Sequence, residues 1–337
     1  MNFLVIGLGS MGKRRVRNLQ ALNQTNISGF DISQKRCDES KDKYGIDTYL
    51  DFEEALREVN PDVFIISTPP NLHMQYAYIA YEQNIHCFIE ASVVDSQKIL
   101  ELSKKIKDKD LIIVPSCTMT YYFAQQKLKE LIDKKIIGKP LNFNYQSGQY
   151  LPDWHPWEDI NDFYVSSPDT GGAREIVPFE LTWLNMLFKH PKPLACVKRK
   201  LTDMNAPIDD IYHCILEYPD GLIGNLTVEV VSRPKAVREF RVIGTTGEIA
   251  YSADTNELKY INTSMKDWEY ISFDAGTIEK EYINPEEPYI NEIQDFLNAI
   301  VQKDITLFPN SLENDYKVLN NLYDLEQLTG DTDELSR

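Results

Sequence analysis

Basic residues are scarce in this sequence: 35 Lys and Arg stand against 52 Asp and Glu, a formal charge of -17 at pH 7. A chain this acidic repels nucleic-acid phosphates and anionic bilayers, so neither is an expected partner, although one local anion site stays compatible with it. The excess is uneven. The last 57 residues hold thirteen acids and three bases, which reads as a solubilising surface. Long apolar runs are missing too, so no transmembrane helix is expected. The first residues lack the basic and apolar regions of a secretory leader, which points to the cytoplasm. Cysteine is sparse: Cys37, Cys87, Cys117, Cys196 and Cys214 are odd in number, widely spaced and without a C-x-x-C pair. That pattern suggests free thiols in a reducing compartment, with no disulfide framework or structural zinc site.

What is present suffices for packed cores: 42% of the residues are hydrophobic and 11% aromatic. The length of 337 residues suits about two domains. We place them at 1–120 and 121–337, with the closing helix packing back on the first.

The first third alternates strand and helix patterns. Strands are expected at 3–6, 27–30, 62–67, 86–89 and 111–114, with helices at 11–22, 34–43, 72–82 and 96–107. This alternation predicts an α/β domain, a doubly wound parallel sheet with helices on both faces. Directly after the first strand stands Gly7-Leu8-Gly9-Ser10-Met11-Gly12, a G-x-G-x-x-G opening a helix. In that context Gly7 permits the turn, Gly9 lets a pyrophosphate approach the backbone, and Gly12 lets helix and sheet pack closely. The free N–H groups of the helix start, at Ser10 and Met11, face the phosphates. Asp31 closes the second strand 19 residues after Gly12. A carboxylate there accepts ribose hydroxyls and repels a 2′-phosphate, so NAD is expected over NADP, a preference that Lys35 and Arg36 soften. Lys13, Arg14, Arg15 and Arg17 follow the loop, and for three of these four a solvated helix face is the expected setting.

Beyond residue 140, strands are expected at 140–147, 194–200, 213–218, 222–231, 240–243, 249–252 and 259–261, with helices at 289–301 and 310–328. Several of the strands alternate, as in a sheet with one covered face. The segment Tyr150-Leu151-Pro152-Asp153-Trp154-His155-Pro156-Trp157-Glu158-Asp159 concentrates aromatic, acidic and histidine side chains. Its rings suit stacking on a sugar or a base. His155 is the one histidine set among site-like groups; His86, His190 and His213 read as structural. No convincing set of metal ligands is found.

Three further pieces make the chain resemble the glucose–fructose oxidoreductase/inositol dehydrogenase/MocA family. Thr68-Pro69-Pro70-Asn71-Leu72-His73 is similar to the family's T-P-x-x-x-H turn beside the nicotinamide ribose. Glu90 stands where the family has Glu-Lys-Pro, and Gly171-Gly172-Ala173 where a Gly-rich turn precedes its D-x-x-x-H helix. The resemblance implies a second α/β domain with a large, open, mostly antiparallel sheet. It also implies cofactor contacts from Thr68, Pro69, Asn71, His73 and Glu90, a sugar-type substrate, and a homodimer or homotetramer formed through the sheet.

Two departures matter. The family lysine is Ala91 here, and the family histidine falls on Phe179, neither of which transfers a proton. We therefore expect the acid/base work at His155 or Glu175, and substrate contacts from Tyr150, Trp154, Trp157, Arg174 and Glu180. The expected activity is NAD-dependent oxidation or reduction of a sugar, sugar acid or sugar nucleotide. A non-redox reaction on tightly bound NAD and a silent NAD-binding protein are the alternatives.

Overall fold

The computed structural model describes residues 1–154, 159–280 and 282–329. The chain divides into two compact units. Unit 1 comprises Met1–Tyr121 and Gly276–Tyr316, and unit 2 comprises Tyr122–Ala275 with the stretch from Lys317 onward.

Unit 1 is built from strands β1 (Phe3–Ile6), β2 (Ile27–Phe30), β3 (Asp47–Tyr49), β4 (Val63–Ile66), β5 (His86–Ile89) and β6 (Ile113–Pro115). Between them run helices α1 (Ser10–Ala21), α2 (Gln34–Tyr44), α3 (Phe52–Val59), α4 (His73–Gln83) and α5 (Ser96–Lys105). The strands pair in the order β3-β2-β1-β4-β5-β6, and every pairing is parallel. All four residues of β1 and of β4 are buried, as continuous apolar runs covered on both faces must be. The strand order reverses between β1 and β4, and ligands bind parallel sheets in the crevice at the carboxyl ends of such a pair. β3 and α3 carry no expectation above: a three-residue edge strand and an eight-residue helix give periodicity little to work on. Asp51 nevertheless caps α3, accepting from the Glu54 N–H at 2.7 Å.

Unit 2 contains α6 (Phe123–Asp133), β7 (Pro140–Gly148), α7 (Gly172–Phe188) and strands β8 (Lys192–Arg199), β9 (Ile211–Glu217), β10 (Ile223–Glu229), β11 (Val237–Gly244), β12 (Gly247–Ser252), β13 (Glu257–Asn262) and β14 (Glu269–Ser272). They form one sheet in the order β14-β13-β12-β11-β7-β10-β9-β8, antiparallel except where β10 runs beside β7. Alternation decides the two faces. In β9, Tyr212, Cys214 and Leu216 point inward while His213, Ile215 and Glu217 are exposed. On the covered face Phe143, Phe188, Trp183 and Phe240 pack ring against ring at centroid distances of 5.3–5.6 Å.

The chain continues through α8 (Glu287–Gln302) and α9 (Leu312–Gln327), and residues 276–316 group with unit 1. The expected boundary fell at 120, with the closing helix packing back on the first domain, whereas the stretch that groups with unit 1 is residues 276–316. The difference has a physical source in α1. Its basic run is not a solvated face: Arg14 is 2% exposed and Arg15 0%. Arg15 places its guanidinium on Glu90 at 2.6 and 3.0 Å and on Glu292 at 2.9 Å. Glu292, itself 0% exposed, also accepts from Ser116 Oγ, the Cys117 N–H and Thr118 Oγ1 at 2.6–2.9 Å. Arg14 and Arg17 share Glu286, and rings of Tyr282 and Tyr289 lie against the guanidiniums at 4.1–4.7 Å. A buried charge needs a partner in place, and besides Glu90 the partners Glu286 and Glu292 come from the acidic last stretch. Those acids are therefore not solubilising surface alone.

Candidate active site

The cofactor end of unit 1 is made by backbone. Gly7 adopts φ +90°, and a Cβ there would stand 2.7 Å from the Ser67 carbonyl oxygen. A Cβ on Gly12 would overlap the Gly7 carbonyl oxygen, so the loop closes only because both residues are glycine. Around Gly9 the opposite holds: nothing lies within 4 Å of its Cβ position, the room a phosphate needs. No side chain caps α1 at Gly9, which leaves the first-turn N–H groups of Ser10, Met11 and Gly12 for an anion.

Asp31 is 5% exposed. Its Oδ2 accepts from the Leu8 N–H and its Oδ1 from the Ser33 N–H, each at 2.8 Å. The carboxylate thus fixes the Gly-rich loop and keeps lone pairs for ribose hydroxyls. The Arg36 guanidinium stands 3.6 Å from Oδ2, where it offsets part of the negative charge. Asp31→Asn keeps the shape and removes the charge that opposes a 2′-phosphate. We expect the ratio of NADP to NAD dissociation constants, measured by fluorescence titration, to fall about tenfold or more, since a charge pair at about 4 Å ranges from about 1 kcal/mol in water to about 4 kcal/mol near a protein surface and each ~1.4 kcal/mol is tenfold. An unchanged ratio would assign cofactor choice elsewhere.

At the end of β4, Ser67 Oγ and Thr68 Oγ1 are shielded from solvent and have no protein partner among the described residues. Buried hydroxyls rarely stay so, and a bound cofactor supplies partners. Pro69 and Asn71 are exposed on the turn that follows. His73 is buried, with Nε2 2.9 Å from the Thr68 carbonyl oxygen. Burial pushes its pKa down, so the ring is neutral, donates through Nε2 and braces the turn from behind. Glu90, expected to contact the cofactor, has both oxygens on Arg15, and that ion pair holds α1.

In unit 2 the Gly-rich turn behaves likewise. A Cβ on Gly171 would overlap the Val165 carbonyl, and Gly172 adopts φ +63°. The two glycines bring the turn Tyr164–Ser166 against the start of α7. There Glu175 Oε1 accepts a 2.6 Å hydrogen bond from the Tyr164 hydroxyl, while Oε2 is shielded and has no partner among the described residues. Burial pushes the Glu175 carboxyl up to about 7, against the opposite pull of the Tyr164 hydrogen bond. A carboxyl poised near neutrality with one oxygen unengaged has the properties of a general base. Nothing in the sequence singles out Tyr164; its role depends on a turn that two glycines set.

The other expected residues divide. Tyr150 lies against Arg233, whose guanidinium carbon is 3.3 Å from the ring centroid. Trp154 keeps a buried indole N–H without a partner among the described residues. His155 and Trp157 lie outside the described residues. Two substrate expectations are corrected. Glu180 is 0% exposed and accepts from Tyr145 Oη at 2.6 Å, Ser147 Oγ at 2.8 Å, Trp183 Nε1 at 2.8 Å and Arg238 at 3.0 Å, so it anchors the core. Arg174 is engaged by Glu326 at 2.6 Å and by the Asp169 carbonyl, so its fork is not available to a ligand.

Asp315 escapes a sequence reading altogether. It is buried in unit 1, takes a hydrogen bond from Ser92, the residue after Ala91, and burial pushes its carboxyl up to about 7. Among the described residues no group of three His, Cys, Asp or Glu side chains could hold a metal ion, and no helix is long and apolar enough to cross a membrane.

Comparison with known proteins places this geometry. The model of an oxidoreductase family with an NAD-binding Rossmann fold matches residues 1–116, and that of the GFO/IDH/MocA C-terminal domain matches residues 125–250. The uncharacterized oxidoreductase YfiI of Bacillus subtilis (strain 168) is 22% identical over 263 residues, 70% of this chain and 65% of that protein. The chain thus spans less than two thirds of that relative's length. An oxidoreductase from Agrobacterium radiobacter, in complex with NAD+, L-tartaric acid and magnesium, superposes with a TM-score of 0.83 at 13% identity over 97% of this chain and 96% of its own. Levoglucosan dehydrogenase in complex with NADH and levoglucosan does so with 0.80 at 17% identity, over the same shares. At such identities these two structures establish the shared fold.

Proposed function

Because the chain belongs to the GFO/IDH/MocA family of oxidoreductases with an NAD-binding Rossmann fold, we propose that it interconverts a hydroxyl and a ketone on a sugar, sugar acid or sugar nucleotide, with Glu175 as the relocated base. The observation that carries this reading is the Glu175 carboxyl, whose Oε1 takes the Tyr164 hydroxyl while Oε2 is unengaged among the described residues, and which burial pushes up to about 7. The residues that fit the cofactor are Gly7, Gly9, Gly12 and the α1 start for the pyrophosphate, Asp31 for the adenosine ribose, and the hydroxyls of Ser67 and Thr68. Bound NAD supplies the acceptor for the hydride that leaves the substrate carbon. Glu175 Oε2 takes the hydroxyl proton as the carbonyl forms, and Tyr150 and Trp154 offer aromatic surface to the sugar ring.

Ala91 and Phe179 leave the two usual family positions without a transferable proton, which is why the base is assigned to α7. The five buried free thiols support a reducing, cytoplasmic setting. Exposed Ile215, Ile223 and Ile243 on the open sheet face support self-association there. The test is a panel of sugars, sugar acids, polyols and sugar nucleotides incubated with NAD, followed at the NADH absorbance, with Glu175→Gln run in parallel. A substrate turned over equally by both proteins would remove Glu175 from the reaction.

A further inference from the structure

We propose that Tyr164 is the positioning residue of the Glu175 carboxyl: its hydroxyl occupies Oε1 and so presents Oε2 as the working oxygen. The inference rests on the reading of Glu175 as the base.

The geometry gives Tyr164 a fixed place. Its carbonyl accepts from Thr170 Oγ1 at 3.2 Å and from the Ser167 N–H at 3.0 Å. The Gly171 N–H donates to Ser167 at 2.8 Å, and the absence of a Cβ on Gly171 lets the Val165 backbone close on the helix start. Tyr164 therefore enters from a braced turn, whereas Glu175 enters from α7. A glutamate has three side-chain torsions, and a single 2.6 Å hydrogen bond to one oxygen is what selects among its rotamers. With Oε1 taken, a substrate hydroxyl meets one acceptor in one orientation, the condition for a near-attack geometry.

The same bond sets the strength of the base. Among the described residues two influences act on Glu175: burial, which disfavours the carboxylate, and Tyr164, which favours it. The neighbouring charge on α7, Arg174, is held by Glu326. Without the phenol the carboxyl would rise further from its ordinary value of 4.5 and be largely protonated at neutral pH.

The experiment is a pH titration of the intact protein labelled with 13C at the glutamate carboxyls, with the Glu175 signal assigned by its loss in Glu175→Gln. In the native chain we expect a midpoint near 7. In Tyr164→Phe we expect it about one pH unit higher, the scale of one hydrogen bond to a charged group. Incorporation of 3-fluorotyrosine, a more acidic phenol and a stronger donor, should move it down without altering the backbone, which covers the case of a Phe variant that does not fold. A native midpoint near 7 that moves in neither protein would overturn the role of Tyr164 while leaving the base reading intact. A native midpoint near the ordinary 4.5 would remove the observation on which the base reading itself stands.

Discussion

Glu175→Gln should lower kcat by a factor of about 10² to 10⁴ on any substrate the native protein oxidises, the usual contribution of a positioned general base. The amide preserves the volume of the side chain and can still meet the Tyr164 hydroxyl, so the loss isolates proton transfer. Because the native carboxyl titrates at about 7 and acts ionised, kcat/KM should rise with pH through about 7 and then level off. The variant's residual activity should lack that limb. Stability should move the other way. Glu175 has a folded-state pKa above its ordinary 4.5, so any stability it contributes is present below that value and is lost as the pH rises through about 7. At pH 8 the native protein carries a charge on a shielded carboxyl that the variant does not. Thermal melting at that pH should therefore show Glu175→Gln at least as stable as its parent. A variant both inactive and less stable at pH 8 would mean that Glu175 is a structural residue.

Glu180→Ala should be the most damaging single change in unit 2 without touching the chemistry. The carboxylate is fully buried and gathers donors from Tyr145, Ser147, Trp183 and Arg238. Removing it takes the carboxylate away from Arg238 and leaves the buried donors of Tyr145, Ser147 and Trp183 short of an acceptor. Breaking a buried pair by deleting one partner costs ~3–5 kcal/mol. For a unit of this size that corresponds to a melting temperature lower by roughly 6–20 °C. Circular dichroism melting checks it, and a shift within about 2 °C would restore Glu180 to the list of candidate ligand groups.

The two glutamates show what a sequence can and cannot display. Glu175 and Glu180 lie five residues apart after the same Gly-Gly turn, and the sequence put the first forward as an acid/base group and the second as a substrate contact. What separates them is which donors the sheet of unit 2 brings to each, and β7 and β11 arrive from far along the chain. The Rossmann strands and the G-x-G-x-x-G turn were legible because their determinants are local: apolar runs, a turn that needs glycine, an acid at a fixed distance. The basic run of α1 was misread because the burial of Arg15 is decided by Glu292, a residue 277 positions away. Tyr164 and Asp315 were invisible for the same reason, since each is defined by the partner that folding delivers. The alternating strands of the second sheet were readable one by one, whereas the parallel pairing of β7 with β10 was not, because it is a property of topology.

That separation of 277 positions has a consequence for the order of assembly. The segment made first, residues 1–121, contains a guanidinium that has Glu90 as a partner but lacks its second carboxylate until Glu292 is synthesised. At about 5–20 residues per second, the interval is roughly 14–55 s. During it the nascent Rossmann segment holds the Arg15 guanidinium by Glu90 alone. The two units interleave in the chain: Tyr122–Ala275 of unit 2 emerges between the two segments of unit 1, and the stretch from Lys317 onward, which also belongs to unit 2, follows both. A chain stopped at 275 would therefore complete neither unit: it would hold Arg15 by Glu90 without Glu292, and α1 without the Glu286 that Arg14 and Arg17 share.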